Sequence, residues 1–510
     1  MSRDKIIYMP LDERPCNYDY PDYIAAVAGI ETVKPPLDMM GKFKKAADTQ
    51  KLWQWLFEQA KSADYAVISM DLLLYGGIVP SRLHHIQREE CKNNADKLRR
   101  LKAENPNLKI FAFQLIMRAP GRNGAGEEPD YYEQHGYDIH RFGYVCDKES
   151  LGVADENDFN EKSGILSRVP QQYLDDFILR REVNFSSNIN TIDMAADGVI
   201  DHLIIPLDDC MQYGYAPSER RRIAKYLGEK NMLSRVSMYP AADEIGCTLT
   251  ARAVCGITGV QPSICLDSDS VSGMTTIPSY EDRTIAETAP HHILNAGAVP
   301  ALSSQSCDAV MLLHPPTEFS QRLEKQLDRR EIYVECERNL PAAVCRLRQH
   351  MAKDTPCFVA DCAIPNGADK YLMRFLHEQE MLDKIKGYSG WNTSSNALGT
   401  VMAHAVAYVC AQKSGHLDAK AIEISDRFRF YRYLEDWGYM TEVRKTLTEN
   451  LPQIGSGLSF LKLCDKEPQV SAEAEKMMKQ FARKYFPDSA RTFTVHMPWN
   501  RMFEIELSNI

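Results

Sequence analysis

Asp208 and Asp209 are adjacent in the run PLDDCMQYGYAPSER. Two carboxylates placed side by side repel each other, so their pKa values separate, and one stays ionised while the other keeps a proton near neutrality. That division suits general acid catalysis beside electrostatic stabilisation. On a regular strand neighbouring side chains point to opposite faces, so both serve one site only where the strand breaks into a loop, as DDCMQYGY predicts. Tyr213 follows the pair. Other runs also hold polar groups directly behind short apolar stretches. PLDERPCN offers Asp12, Glu13, Arg14 and Asn17, and MDLLLYGGIVPSR offers Asp71, Tyr75 and Arg82. MRAPGR offers Arg118, and YPAADEIG offers Asp243 and Glu244. Further on come LDSDS with Asp267 and Asp269, ADCAIPNGAD with Asp361, Asn366 and Asp369, and GYSGWNTSSN with Trp391, Asn392 and Asn396. An Asp behind a strand often caps the next helix, but capping calls for neither Arg nor paired carboxylates. Trp391 stands in a Gly/Ser/Asn-rich turn, where its ring would offer a flat apolar face to a sugar while Asn392 supplies hydrogen bonds.

Elements that place such groups at strand ends are legible in the hydrophobic pattern. Short apolar runs at 5–10, 31–35, 65–70, 109–117, 202–207 and 236–239 predict strands covered on both faces, as in a parallel sheet. Helix patterns over 51–61, 87–103 and 218–230, the last opening on a capping Ser218, predict βαβ units. Six such units predict an irregular (β/α) barrel-like domain over 1–260, with a doubly wound open sheet as the alternative. Residues 121–158 are polar and Gly-rich and predict an insertion or lid. A second α/β domain over 261–413 has strands at 263–266, 309–313 and 357–360, with a further candidate at 332–334, and a closing helix over 398–412. The remainder, 414–510, predicts a mainly helical region, with helices over 426–450 and 473–485 and a short strand at 492–496.

Composition excludes several classes. The chain has 510 residues, enough for two to four domains, with ordinary hydrophobic (44%) and charged (25%) fractions. A net charge of -10 argues against nucleic acid or an anionic membrane as partner, because both require clustered Lys and Arg. No run approaches the ~18 apolar residues of a membrane span, and the N-terminus lacks a signal-peptide pattern. The 14 cysteines show no CxxC and no pairing rhythm, which suits scattered thiols in a reducing cytoplasm. No HxH, HExxH or GxGxxG occurs, so neither a structural zinc site, another resident cofactor nor a dinucleotide is expected. The sequence leaves room for a homo-oligomer.

Together, PLDERPCN, DLLLYGGIVPSR, LDDCMQYGYAPSE, YPAADEIG and GYSGWNTSSNALGT resemble the bacterial domain-of-unknown-function family numbered 4127, from Met9 to about Phe430. That label carries no activity. The adjacent Asp pair at a strand end, among aromatics, is similar to substrate-assisted β-N-acetylhexosaminidases, which are exceptions to the rule of two separated carboxylates. The likeness implies a retaining glycoside hydrolase acting on a β-linked N-acetylhexosamine (GalNAc or GlcNAc). Asp208 would orient the 2-acetamido group and Asp209 would be acid and then base. Asp12, Arg14, Asn17, Asp71, Arg82, Tyr213, Asp243, Glu244, Trp391 and Asn392 would bind the sugar. In those enzymes the pair usually follows the fourth strand, whereas here it follows the fifth. Two alternatives remain open: a divalent-metal-dependent hydrolase or lyase on a small polar substrate, with Asp12, Asp71, Asp208 and Asp243 around the ion, and a non-catalytic carbohydrate-binding protein.

Overall fold

A computed structural model describes residues 5–323, 336–487 and 492–509. The chain divides into two compact units. The first comprises Met1–Glu13, Glu31–Leu249 and Tyr280–Asp282, and the second Arg14–Ile30, Thr250–Ser279 and Arg283–Ile510. The main break lies at Leu249. Residues 14–30 and 280–282 cross it, and 414–510 groups with the second unit rather than apart.

In the first unit six parallel strands form where the apolar runs predict them: β1 (Lys5–Met9), β2 (Glu31–Val33), β3 (Tyr65–Ser69), β4 (Lys109–Phe113), β5 (His202–Ile204) and β6 (Val236–Ser237). Single parallel bridges extend the last three, joining Ile116 to Leu207 and Leu207 to Pro240. Ile6–Met9, Ala66–Ile68, Ile110, Ala112, Phe113, Leu203 and Ile204 are all essentially unexposed, the condition for a sheet covered on both faces. The strand order is β2-β1-β3-β4-β5-β6. Units laid down in chain order would place β2 between β1 and β3. Instead β1 lies between β2 and β3, and the order reverses there, as in doubly wound sheets. All strands are parallel, so every post-strand loop emerges at one edge.

The insertion between β4 and β5 is mostly helix rather than a polar loop. Helices Tyr132–Ser150, Glu156–Arg168 and Gln171–Ala196 fill it, and Met117, Tyr132, Ile139, Ile165, Leu174 and Phe177 form their shared core. Glycines within the predicted loop hid this apolar face. Helix Tyr215–Glu229 starts before Ser218, directly behind Gly214, because the Ala-Pro pair fits a first helical turn.

The second unit has five parallel strands in the order β11-β10-β9-β7-β8. They are β7 (Ser263–Ser268), β8 (Val299–Pro300), β9 (Ala309–His314), β10 (Cys357–Asp361) and β11 (Gly387–Ser389). Counted from the first strand of each sheet, both units share the order 2-1-3-4-5, and the first carries one strand more. β8 and β11 escape the sequence pattern because two- and three-residue strands show no period. The strand expected at 332–334 lies outside the described residues. The predicted helix over 426–450 is three pieces: Ala419–Arg432, an 11-residue π-helical stretch Tyr433–Val443, and Arg444–Ile454. β12 (Thr494–His496) pairs antiparallel with β13 (Glu506–Ser508). Among the described residues no helix is long and apolar enough to cross a membrane.

Candidate functional site

The strand order reverses at β1, between β1 and β3, and in open parallel sheets ligands commonly bind outside the strand ends at such a point. Asp12 follows β1, and Asp71 follows β3 in the helix Met70–Tyr75, capped by Ser69. That helix ends at Gly76, whose φ of 87° is left-handed and whose Cβ position would lie 2.7 Å from the Ala47 backbone nitrogen. Only glycine fits both conditions. The turn leads to Arg82. Arg118 follows β4, Asp208 and Asp209 follow β5, and Asp243 and Glu244 follow β6. Asp209 has φ 43°, a left-handed residue that breaks the alternation expected of a strand.

Two arginines organise the edge. Arg82 is 2% exposed and donates to Asp208 Oδ2 at 2.8 Å and Glu127 Oε2 at 2.8 Å, with Glu128 at 3.6 Å. Arg118 donates to Glu128 at 2.9 Å, Glu127 at 3.0 Å and Asp209 Oδ2 at 3.4 Å. The adjacent carboxylates therefore face different cations, which Glu127 and Glu128 tie into one network. Behind it, Arg181 from the long helix donates to the carbonyls of Met117 and Arg118 at 2.7 and 3.0 Å and pairs with Glu219 at 2.7 Å, fixing the exit of β4. Asp71 accepts the Leu115 N–H at 2.9 Å and steadies the same strand end.

Burial sets the electrostatics. It pushes the Asp208 carboxyl up to about 6, against the opposing pull of Arg82 and with help from Asp209. Burial pushes Asp71 up to about 7, opposed by the Leu115 N–H and Arg82. Glu244, which accepts the Ala242 N–H at 3.0 Å, is pushed to about 8 by burial, with Asp243 beside it adding to the rise. Three carboxyls that hold protons toward neutrality thus stand at one edge of one sheet, a concentration typical of functional sites. No three His, Cys, Asp or Glu side chains among the described residues are disposed to hold a metal ion.

Of the predicted site residues, Asp12, Asp71, Arg82, Asp208, Asp209, Tyr213, Asp243 and Glu244 belong to the first unit. Arg14, Asn17, Trp391 and Asn392 belong to the second. Tyr213 is half-buried, with its ring edge-on to Tyr144 at 5.5 Å. Arg14 pairs with Glu504 at 3.3 Å and covers the Trp499 ring, and Asn17 is buried in a short helix. Trp391 corrects an expectation. It is 1% exposed, its Nε1 donates to Thr400 Oγ1 at 3.2 Å, and Tyr20 packs edge-on against it, so the ring is core and presents no free face to a sugar. Asn392 has φ 56° and its carbonyl accepts the Asn366 N–H, a turn role. Glu127 and Glu128 were missed. The signal was the GEEPD run in the polar insertion, the acidic complement to Arg82 and Arg118.

The second sheet gathers its own polar groups at its strand ends. His314 is unexposed, with Nδ1 2.7 Å from Asp269 Oδ2 and Nε2 3.1 Å from Asp369 Oδ2. Burial lowers its imidazole and Arg338 opposes its charge, but the attraction of Asp269 and the hydrogen bonds to Asp269 and Asp369 together raise it to about 9. Arg338 bonds Asp269 at 3.2 Å, and Tyr388 donates to Asp361 Oδ2 at 2.9 Å.

The chain is a mixed α/β protein of two parallel sheets, the first with a carboxylate-rich, arginine-bridged edge, and folds of this kind commonly bind ligands at their post-strand loops. More particularly, the chain belongs to the family described as "Protein of unknown function (DUF4127)", which it matches over residues 6–508. No curated protein and no solved structure matches it.

Proposed function

We propose that the strand-end edge of the first sheet is the active site of a retaining glycoside hydrolase that cleaves β-linked N-acetylhexosamine by substrate assistance. One observation carries the reading: adjacent carboxylates behind β5 face separate arginines, and one of them is held at about 6. The electrostatics favour the reverse of the division that the hexosaminidase likeness implies. A general acid must carry its proton at the outset, and Asp208 does so further toward neutrality than an ordinary carboxylate. Asp209 has a side chain 29% exposed and paired with Arg118, and in this reading it accepts the acetamido N–H and steadies the cation that forms when the acetamido oxygen attacks the anomeric carbon. Asp208 protonates the leaving oxygen and then takes a proton from the water that opens the cyclic intermediate. Arg82 and Glu127 hold Asp208 in position.

The test is release of aglycone from aryl β-N-acetylgalactosaminide and β-N-acetylglucosaminide, set against matched aryl hexosides without the acetamido group, each with and without chelator. The proposal expects turnover of at least one acetamido sugar, near-inert matched hexosides and no effect of chelator. Turnover that chelator abolishes, equal rates without the acetamido group, or sugar binding with no cleavage would each overturn it.

A further inference from the structure

Two cysteines of the second unit lie sulfur to sulfur. Cys255 stands near the end of the helix Ile245–Thr258 and Cys410 near the end of the helix Ser394–Ser414, with Sγ atoms 3.6 Å apart. They are separated by 155 positions in sequence, so only the packing of the two helices brings them together. Their surroundings hold them there. A Cβ added at Gly297 would meet Cys255 Sγ at 2.9 Å, so the neighbouring turn seats directly on this sulfur. Cys410 lies on a helix buried from Ser394 to Ala411, so its backbone has little freedom to withdraw. The two thiols differ in access: Cys410 is unexposed and Cys255 is partly exposed.

We infer that Cys255 and Cys410 form an oxidation site, in which peroxide converts the pair to an intramolecular disulfide. Closing from 3.6 Å to a bond of about 2.05 Å asks for about 1.5 Å of motion shared between two side chains. The accessible Cys255 sulfur attacks one oxygen of hydrogen peroxide, the O–O bond breaks, and water leaves with the thiol proton, giving a sulfenic acid. Cys410 sulfur then attacks the sulfenic sulfur, the S–O bond breaks, and the departing hydroxide leaves as water with the second thiol proton. Two thiols and one peroxide give one disulfide and two waters. The cross-link ties the helix Ile245–Thr258 to the helix Ser394–Ser414 and closes a long loop. Chain-entropy arguments predict that such closure stabilises the folded state.

The experiment treats the full chain with hydrogen peroxide, blocks remaining thiols by alkylation and maps the unreduced peptides by mass spectrometry. The exposed Cys336, Cys345 and Cys464 serve as internal controls for reagent access. The expected result is a single linked peptide joining Cys255 to Cys410, reversed by dithiothreitol, with a Tm several degrees above that of the reduced protein. In Cys410→Ala the sulfenic acid on Cys255 persists and is trapped by a dimedone probe, which does not require the disulfide to form. Full alkylation of Cys255 and Cys410 after the exposed cysteines have oxidised overturns the inference. A linkage to a different cysteine, or no dimedone adduct on Cys255 in Cys410→Ala, does the same.

Discussion

Replacing Arg82 with Met should weaken the first unit in a pH-dependent way. Arg82 is 2% exposed and has carboxylate oxygens of Asp208 and Glu127 at 2.8 Å and of Glu128 at 3.6 Å. With an effective dielectric near 20, each close pair gains ~6 kcal/mol of attraction, most of it spent on removing the charges from water. Deleting one partner of such a network while the other stays buried costs about 3–5 kcal/mol. For a unit of this size that corresponds to a Tm roughly 6–20 °C lower. Arg82 also opposes the upward push of burial on Asp208, so without it the carboxyl rises above about 6. A group whose folded pKa is raised gives stability that is present below its unfolded value and lost as pH rises through the folded value. In the variant more of that window lies above pH 6, so the deficit is largest near pH 7.5 and shrinks near pH 5, where Asp208 is protonated and needs no counter-ion. Scanning calorimetry of both proteins at pH 5 and 7.5 measures this. A variant equally stable at both pH values, or one whose deficit grows at pH 5, would refute the view that Arg82 neutralises buried carboxylates.

Further expectations follow from the same edge. Glu244→Gln should flatten the fall in stability between pH 5 and 8, because the folded chain keeps a proton on Glu244 up to about 8 that the unfolded chain releases; at pH 8 the variant should be more stable by up to roughly 4 kcal/mol, and a parent whose urea midpoint does not fall over that range would contradict it. Gly246→Ala should destabilise by about 1–3 kcal/mol, since the new Cβ would meet the Tyr8 hydroxyl at 2.2 Å, and Tyr8→Phe in the same chain should recover part of the loss; no change in Tm on the first substitution would show that Tyr8 moves freely. Proton NMR of the first-formed sugar should show the β anomer, because the assisted mechanism inverts the anomeric carbon twice; an α product would remove it.

The strands of the first unit were legible because each is an apolar run with charged residues at its end, and β1 to β6 fall within the runs read from the pattern. Strand order was not legible. No residue in β2 announces that it pairs outside β1, and a sheet laid down in chain order has the same hydrophobic pattern. The insertion was misjudged for a related reason: Gly136 and Gly143 signal a loop, yet they sit in helix Tyr132–Ser150, where Gly136 faces Tyr132 and Gly143 faces the Tyr215 ring at distances that leave no room for a side chain. Asp208, Arg82 and Arg118 were visible as polar groups behind strands. Glu127 and Glu128 were not, because their role depends on how the insertion returns to the sheet edge. Trp391 shows the limit of composition: a Gly- and Asn-rich turn suggests exposure, but left-handed Asn366 and Asn392 turn the loops tightly, and the indole, bonded to Thr400 on the following helix, is buried.

The division of labour between Asp208 and Asp209 is best measured by the rates of Asp208→Asn and Asp209→Asn on aryl β-N-acetylhexosaminides whose leaving groups span a wide range of acidity. Losing the general acid costs roughly 10²–10⁴-fold on a poor leaving group and much less on a good one. Asp208→Asn should therefore recover toward the parent rate as the leaving group improves, while Asp209→Asn stays slow throughout, because positioning the acetamido nucleophile does not depend on what departs. Recovery of Asp209→Asn with Asp208→Asn uniformly slow would exchange the two roles, and parent-like rates for both variants on every substrate would contradict the account at its centre.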